Sequence, residues 1–167
     1  MIPKHVPQKH AKGCLVATAA MVLGIGYDAA LAAFGGRVPE SEGYDFGEFE
    51  QVLAEHGWAT ARKWKHMRHL NRDREIWPVA PWADLHQCEV QTTGNHSVLM
   101  LRDGTVIDPL TPEPKRLSDY KHVYSIAALT RIPQPCQHLD TFLVKDSEMT
   151  GRVHCKDCGH SREWDAY

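Results

Sequence analysis

The sequence predicts an α+β fold, helices first and an antiparallel sheet after them. Three features predict it. Residues 14–56 hold three apolar, helix-forming segments punctuated by glycine. Residues 85–108 hold consecutive β-forming runs, the last two joined by Asp103-Gly104. Beyond Pro133-Gln134-Pro135 the chain becomes polar and rich in cysteine and histidine. That shift divides it into a domain over 1–132 and an appendage over 133–167.

Element by element, residues 14–24 are almost uniformly apolar and rich in alanine, with Gly24 as the stop. A helix hydrophobic all round is a buried one. Asp28 reads as the N-cap of a second helix from Ala29 to Phe34, ended by Gly35-Gly36. A third runs from Asp45 to His56, with Phe46, Phe49, Val52 and Leu53 on one face and Gly57 closing it. A basic stretch follows: Arg62, Lys63, Lys65, Arg68, Arg72 and Arg74, interrupted by Trp64 and Met67. It reads as a solvated face, and Trp64 and Trp77 as packing residues. Residues 77–82 resemble the beginning of a strand. Strands are expected over 85–91, 96–102 and 105–108, with Asp103-Gly104 as a type I′ hairpin turn. Tyr124 to Ile132 fits a final strand or a short helix.

Composition removes several function classes. Net charge is −2, so the chain is not a polyelectrolyte binder, and nucleic acid is not an expected partner. No run approaches ~18 apolar residues, so no membrane span is expected. The N-terminus lacks a signal-peptide pattern, which makes a cytoplasmic location the default. Five cysteines is an odd count, and three of them crowd into the tail, which favours metal ligation over disulfides.

Cys14 is the most informative residue. Only a thiolate attacks well, and a helix N-terminus favours the anion. Cys14 stands where the first helix should begin, with Lys9, His10 and Lys12 nearby. Gly13 allows a sharp turn and leaves room for a substrate carbonyl. His96, after Gly94 and at the head of an apolar strand, is the candidate base. The hairpin returns Asp108 toward His96, where a carboxylate can hold the imidazole tautomer. Gln8 can donate its side-chain amide to an oxyanion beside the Cys14 backbone N–H. Cys88, inside an apolar strand, reads as core.

These residues resemble the papain-like cysteine peptidases, and most closely the C39-like branch that includes bacteriocin-processing peptidase domains. The shared pattern is Gln8, five residues, Cys14, then Ala17, Ala19, Ala20 and Met21. It continues in His96-Ser97-Val98-Leu99-Met100-Leu101 and Val106-Ile107-Asp108-Pro109. The likeness covers roughly residues 6–125 and departs from the family at Gly13, Leu15 and Ser97. It implies a papain-like fold, peptide-bond cleavage, often after small residues, and the roles of nucleophile for Cys14, base for His96, orienting group for Asp108 and oxyanion donor for Gln8. Thirteen residues precede Cys14, so no inhibitory pro-segment is expected.

In the tail, Cys136-Gln137-His138 and Cys155-Lys156-Asp157-Cys158 form two ligand pairs around a β-type spacer with a Thr150-Gly151 turn. A tetrahedral Zn²⁺ takes four such S/N donors, and C-x₂-C makes one knuckle. Cys136, His138, Cys155 and Cys158 are therefore the expected ligands of a structural zinc ribbon, with His154 or His160 as substitutes for His138. Four protein donors leave no open position for a water, so catalysis needs no cofactor. The ribbon could dock a protein partner, by analogy of fold alone.

Together these features predict a cysteine peptidase or isopeptidase acting on a protein or peptide. Two rivals share parts of the pattern. An acyltransferase, transglutaminase or deamidase would use the same Cys–His–Asp attack with a different acceptor. A catalytically inactive adaptor would use the fold and the ribbon only to bind.

Overall fold

A computed structural model describes residues 3–64 and 83–132, together with three strands of the remainder, over 141–145, 150–155 and 161–165. The chain divides into two compact units, Met1–Ile132 and Pro133–Tyr167. The first is α+β, with three helices and a six-stranded antiparallel sheet.

Helix α1 (Cys14–Leu23) buries every residue from Val16 to Val22. Gly24 ends it in the left-handed conformation at φ 69°, its N–H returning to the Ala20 carbonyl. Helix α2 (Tyr27–Ala33) departs from expectation at its start: the N-cap is Gly26, and Asp28 lies inside the first turn. Asp28 there faces the positive end of the helix and pairs with Lys9 Nζ at 2.6 Å. Helix α3 (Phe46–Glu55) is capped by Asp45. Asp45 Oδ1 accepts from the Glu48 N–H at 2.9 Å, and Glu48 Oε2 accepts from the Asp45 N–H at 2.7 Å.

The sheet comprises β1 (Trp58–Trp64), β2 (Leu85–Gln91), β3 (Asn95–Leu101), β4 (Val106–Asp108), β5 (Thr111–Lys115) and β6 (Val123–Arg131), in the order β1-β6-β2-β3-β4-β5. The stretch 124–132 is thus a strand, and one paired on both sides. β1 occupies the head of the basic stretch. Residues 65–82, including the strand beginning expected at 77–82, lie outside the described residues.

The turn after β3 corrects the type I′ expectation. Type I′ needs positive φ at both central residues, and only Gly104 has it, at 81°. Gly104 N–H returns to the Leu101 carbonyl at 3.0 Å, and Leu101 N–H bonds the Thr105 carbonyl at 2.8 Å. This is the longer hairpin loop, a tight turn followed by a left-handed glycine. Asp103 Oδ1 accepts from the Thr105 N–H at 2.8 Å and holds the loop.

Both faces of the sheet are buried. Leu85, Leu99 and Leu129 pack with Ala19 and Met21 of α1 and Phe49 and Leu53 of α3. On the opposite face Cys88, Val98, Met100, Val106 and Ile126 pack with Leu117 and Tyr120. Each large aliphatic side chain so buried contributes about 1.5–3 kcal/mol. Because β3 alternates, His96 shares a face with Val98 and Met100, while Ser97 shares one with Leu99. Among the described residues no single helix is long and apolar enough to cross a membrane.

The second unit is an antiparallel sheet of β7 (Thr141–Lys145), β8 (Thr150–Cys155) and β9 (Ser161–Asp165), in that order. Thr150 and Gly151, expected in a turn, instead open β8, where Gly151 pairs with Lys145. Cys155 is the last residue of β8 and pairs with Thr141, the first of β7. Cys136, His138, Cys158 and His160 lie outside the described residues, and of His154 and Cys155 only the strand pairing is described.

Candidate active site

Cys14 is the first residue of α1 and is only partly exposed. His96 is the second residue of β3 and 5% exposed; Asp108 ends β4 and is fully buried. The hairpin joins the latter two: His96 Nε2 lies 2.7 Å from Asp108 Oδ1. The His96 side chain and the Cys14 thiol act on each other's acidity. With Nε2 engaged by the carboxylate, Nδ1 is the ring nitrogen left for sulfur. A sulfur, an imidazole and a carboxylate are thus brought together, the last two joined by a hydrogen bond.

The electrostatics follow from that contact. Burial pushes the Cys14 thiol up, but His96 and main-chain hydrogen bonds from Ser97 and Leu15 outweigh it, leaving the pKa below its ordinary value. For His96, burial pulls down, while Asp108 and Cys14 pull up, and the result is about 9. Burial raises Asp108, but its donors hold it well below the usual carboxylate range. A thiolate–imidazolium pair is the favoured state between the lowered cysteine pKa and about 9.

Asp108 is more heavily supported than the sequence suggests. Oδ1 also accepts from the Leu110 N–H at 2.9 Å. Oδ2 accepts from Lys115 Nζ at 2.8 Å and from the Tyr120 hydroxyl at 2.7 Å. Lys115 comes from β5 and Tyr120 from just beyond the 3₁₀ turn Leu117–Asp119. Neither residue has a motif around it; the only sequence signal is proximity to Asp108 along the chain. The N-terminal segment crosses the same corner, with His5 Nε2 3.1 Å from the Asp108 carbonyl and Gln8 N–H on the Pro109 carbonyl at 3.2 Å.

A buried polar ladder fixes α1 against β3. Gln87 Nε2 donates to Ser97 Oγ at 3.0 Å, Ser97 Oγ lies 3.0 Å from Thr18 Oγ1, and Thr18 donates to the Cys14 carbonyl at 2.9 Å. All three side chains are almost fully buried. Ser97 is therefore the rung that ties the helix of Cys14 to the strand of His96.

The residues before Cys14 make contacts that the sequence does not signal. Lys9 is paired with Asp28, and His10 Nδ1 lies 3.1 Å from the Tyr27 hydroxyl. Gly13 has an ordinary backbone, φ −91°. Its lack of a side chain matters because a Cβ there would meet the Tyr27 hydroxyl at 2.0 Å. The space expected for a substrate carbonyl is filled by that tyrosine. Gln8 lines the same cavity as Cys14, and its Nε2 donates to the His10 and Ala11 carbonyls at 3.2 and 3.4 Å.

That cavity, of about 530 Å³, brings together Gln8, Lys12, Cys14, Gln87, Asn95 and His96. Its volume lies in the range of small-molecule binding pockets. Cys88 sits apart in the sheet interior, fully buried. Among the described residues no cluster of His, Cys, Asp or Glu could hold a metal ion. No protein-family model matches the sequence, and no curated protein does either.

Proposed function

We propose that the first unit is a papain-like cysteine peptidase or isopeptidase in which Cys14, His96 and Asp108 form the catalytic triad. The single observation behind this reading is the His96–Asp108 hydrogen bond beside the Cys14 thiol, with Cys14 and His96 lining one cavity. The Cys14 thiolate attacks the carbonyl carbon of an amide. The His96 imidazolium gives its proton to the leaving nitrogen, and the acyl group stays on sulfur. His96 then takes a proton from water, whose oxygen releases the acid and restores the thiol pair. Asp108 stays ionised throughout and holds the ring. The Cys14 backbone N–H at the start of α1 is the first donor to the oxyanion. Gln8 joins it when the amide hydrogen on the Ala11 carbonyl, the longer of its two bonds, turns to the substrate. The substrate is a protein or peptide, and the setting a cytoplasm in which thiols stay reduced.

The test is labelling of Cys14 by a cysteine-directed activity probe, wild type beside His96→Ala. The reading expects labelling in the wild type and loss of about 10³-fold in rate in the variant, the scale on which a triad base acts. Equal labelling of Cys14 in both proteins would overturn it.

The second unit is read as a structural zinc ribbon. Support comes from the donor chemistry of Cys136, His138, Cys155 and Cys158 and from the register. β7 begins and β8 ends at the same end of one hairpin, with Cys155 opposite Thr141. Zinc bound there supplies folding energy, since so short a chain lacks a core of its own. Elemental analysis of the purified full chain should find about one zinc per molecule, lost in Cys155→Ser; unchanged metal content in that variant would remove Cys155 from the ligand set.

A further inference from the structure

We infer that Lys115 is a positioning residue acting through Asp108, and that its ammonium offsets part of the carboxylate's charge so that His96 is oriented without being trapped in its protonated form. This rests on the triad reading above. Four donors surround the Asp108 carboxylate: His96 and the Leu110 N–H on Oδ1, Lys115 and the Tyr120 hydroxyl on Oδ2. Orientation is already supplied by the two neutral donors, one on each oxygen. What Lys115 adds is a full positive charge, on the far side of the carboxylate from the imidazole.

The consequence is electrostatic. A buried carboxylate facing only an imidazolium would bind that proton tightly, and a base that cannot release its proton is a poor acid for the leaving nitrogen. A cation across the carboxylate weakens the hold. Two contacts keep Lys115 beside that carboxylate. It pairs with Val106 across β4–β5, and its Nζ lies 5.3 Å from the Tyr120 ring centroid. Its side chain is 32% exposed, so water screens part of the effect.

The groups around His96 set the background. Asp108 from β4 bonds the ring directly, and the Cys14 thiol of α1 acts on it. Behind Asp108 stand Lys115, Tyr120 and His5. Across the cavity the charged groups are Lys12, Asp45 and Glu89. Of all these, only Lys115 is a cation paired with the Asp108 carboxylate.

The experiment follows the rate of Cys14 alkylation by iodoacetamide against pH, with the site identified by mass spectrometry and folding checked by circular dichroism. The wild type should show two inflections, one for the thiolate and one near 9 for loss of the imidazolium proton. Lys115→Met and Lys115→Gln should move the second inflection up by about one pH unit. Lys115→Arg should leave it in place. Tyr120→Phe, which removes a hydrogen bond and no charge, should move it less than Lys115→Met does. A second inflection that stays put or falls in both Lys115→Met and Lys115→Gln overturns the inference and leaves the triad standing. A wild-type profile with one inflection near ~8.5, the value of a free thiol, overturns the triad and the inference with it.

Discussion

Cys14 and Cys88 carry the same side chain in two regions of one domain, and their acidities move in opposite directions. Burial raises both. For Cys88, between β3 and β6 in the sheet interior, nothing opposes it, and the thiol is held far above its ordinary value. For Cys14, His96 and the main-chain groups of Ser97 and Leu15 overcome it. Placement beside an imidazole and at a helix start therefore separates the thiol whose pKa is lowered from the one whose pKa is raised. The hydrophobic core raises a thiol's pKa by default, and the polar junction between α1 and β3 lowers it.

That contrast can be erased from the Cys14 side. The largest effect is expected from His96→Ala, which takes the opposing partner away and leaves burial in charge. Asp108→Asn should come next, with probe labelling slowed by about 10²-fold or more, because the ring loses its charged anchor and its tautomer. Rate measurement beside Cys88→Ala sharpens the comparison, since that substitution should leave Cys14 labelling unchanged. The pH profile has a definite sign. Labelling should fall as pH drops through the lowered Cys14 value, where the thiol reprotonates. Proton donation to a leaving group should fail as pH rises past about 9, where His96 becomes neutral.

Smaller effects come from the scaffold of the junction. Gly13→Ala should cost about 1–3 kcal/mol of stability by overpacking against Tyr27, read as a lower denaturation midpoint. Tyr27→Phe in the same chain should return part of it, because the clashing atom is the hydroxyl. Thr18→Val should cost about 1 kcal/mol through the lost rung to Ser97 and to the Cys14 carbonyl. If Thr18→Val instead leaves stability unchanged, the ladder is not what fixes α1 to β3.

Much of this architecture is legible in the order of residues, for physical reasons. α1 announces itself by unbroken apolarity and its glycine stop, and β2 by bounded β-forming residues. Cys14, His96 and Asp108, which the structure brings together, each stand in a distinctive local setting in the sequence. Other elements leave no such trace. β1 runs Ala-Thr-Ala and then Arg-Lys with no apolar alternation, and β5 carries two prolines in five residues, so neither reads as a strand. Gly26 caps α2 with no side chain to signal it. Lys115 and Tyr120 look like any surface lysine and any tyrosine, and only tertiary folding brings them to one carboxylate. Gly13 is explicable only once Tyr27, a residue of another helix, is in place.

β5 has a consequence of its own. It is the last strand on the Asp108 side of the sheet, and Pro112 and Pro114 deprive it of two N–H donors. A foreign strand seeking to extend the sheet there would find an incomplete template. Among the described residues, crowded copies are thus denied one ready route to fibrous self-association, at the flank where Asp108 is anchored.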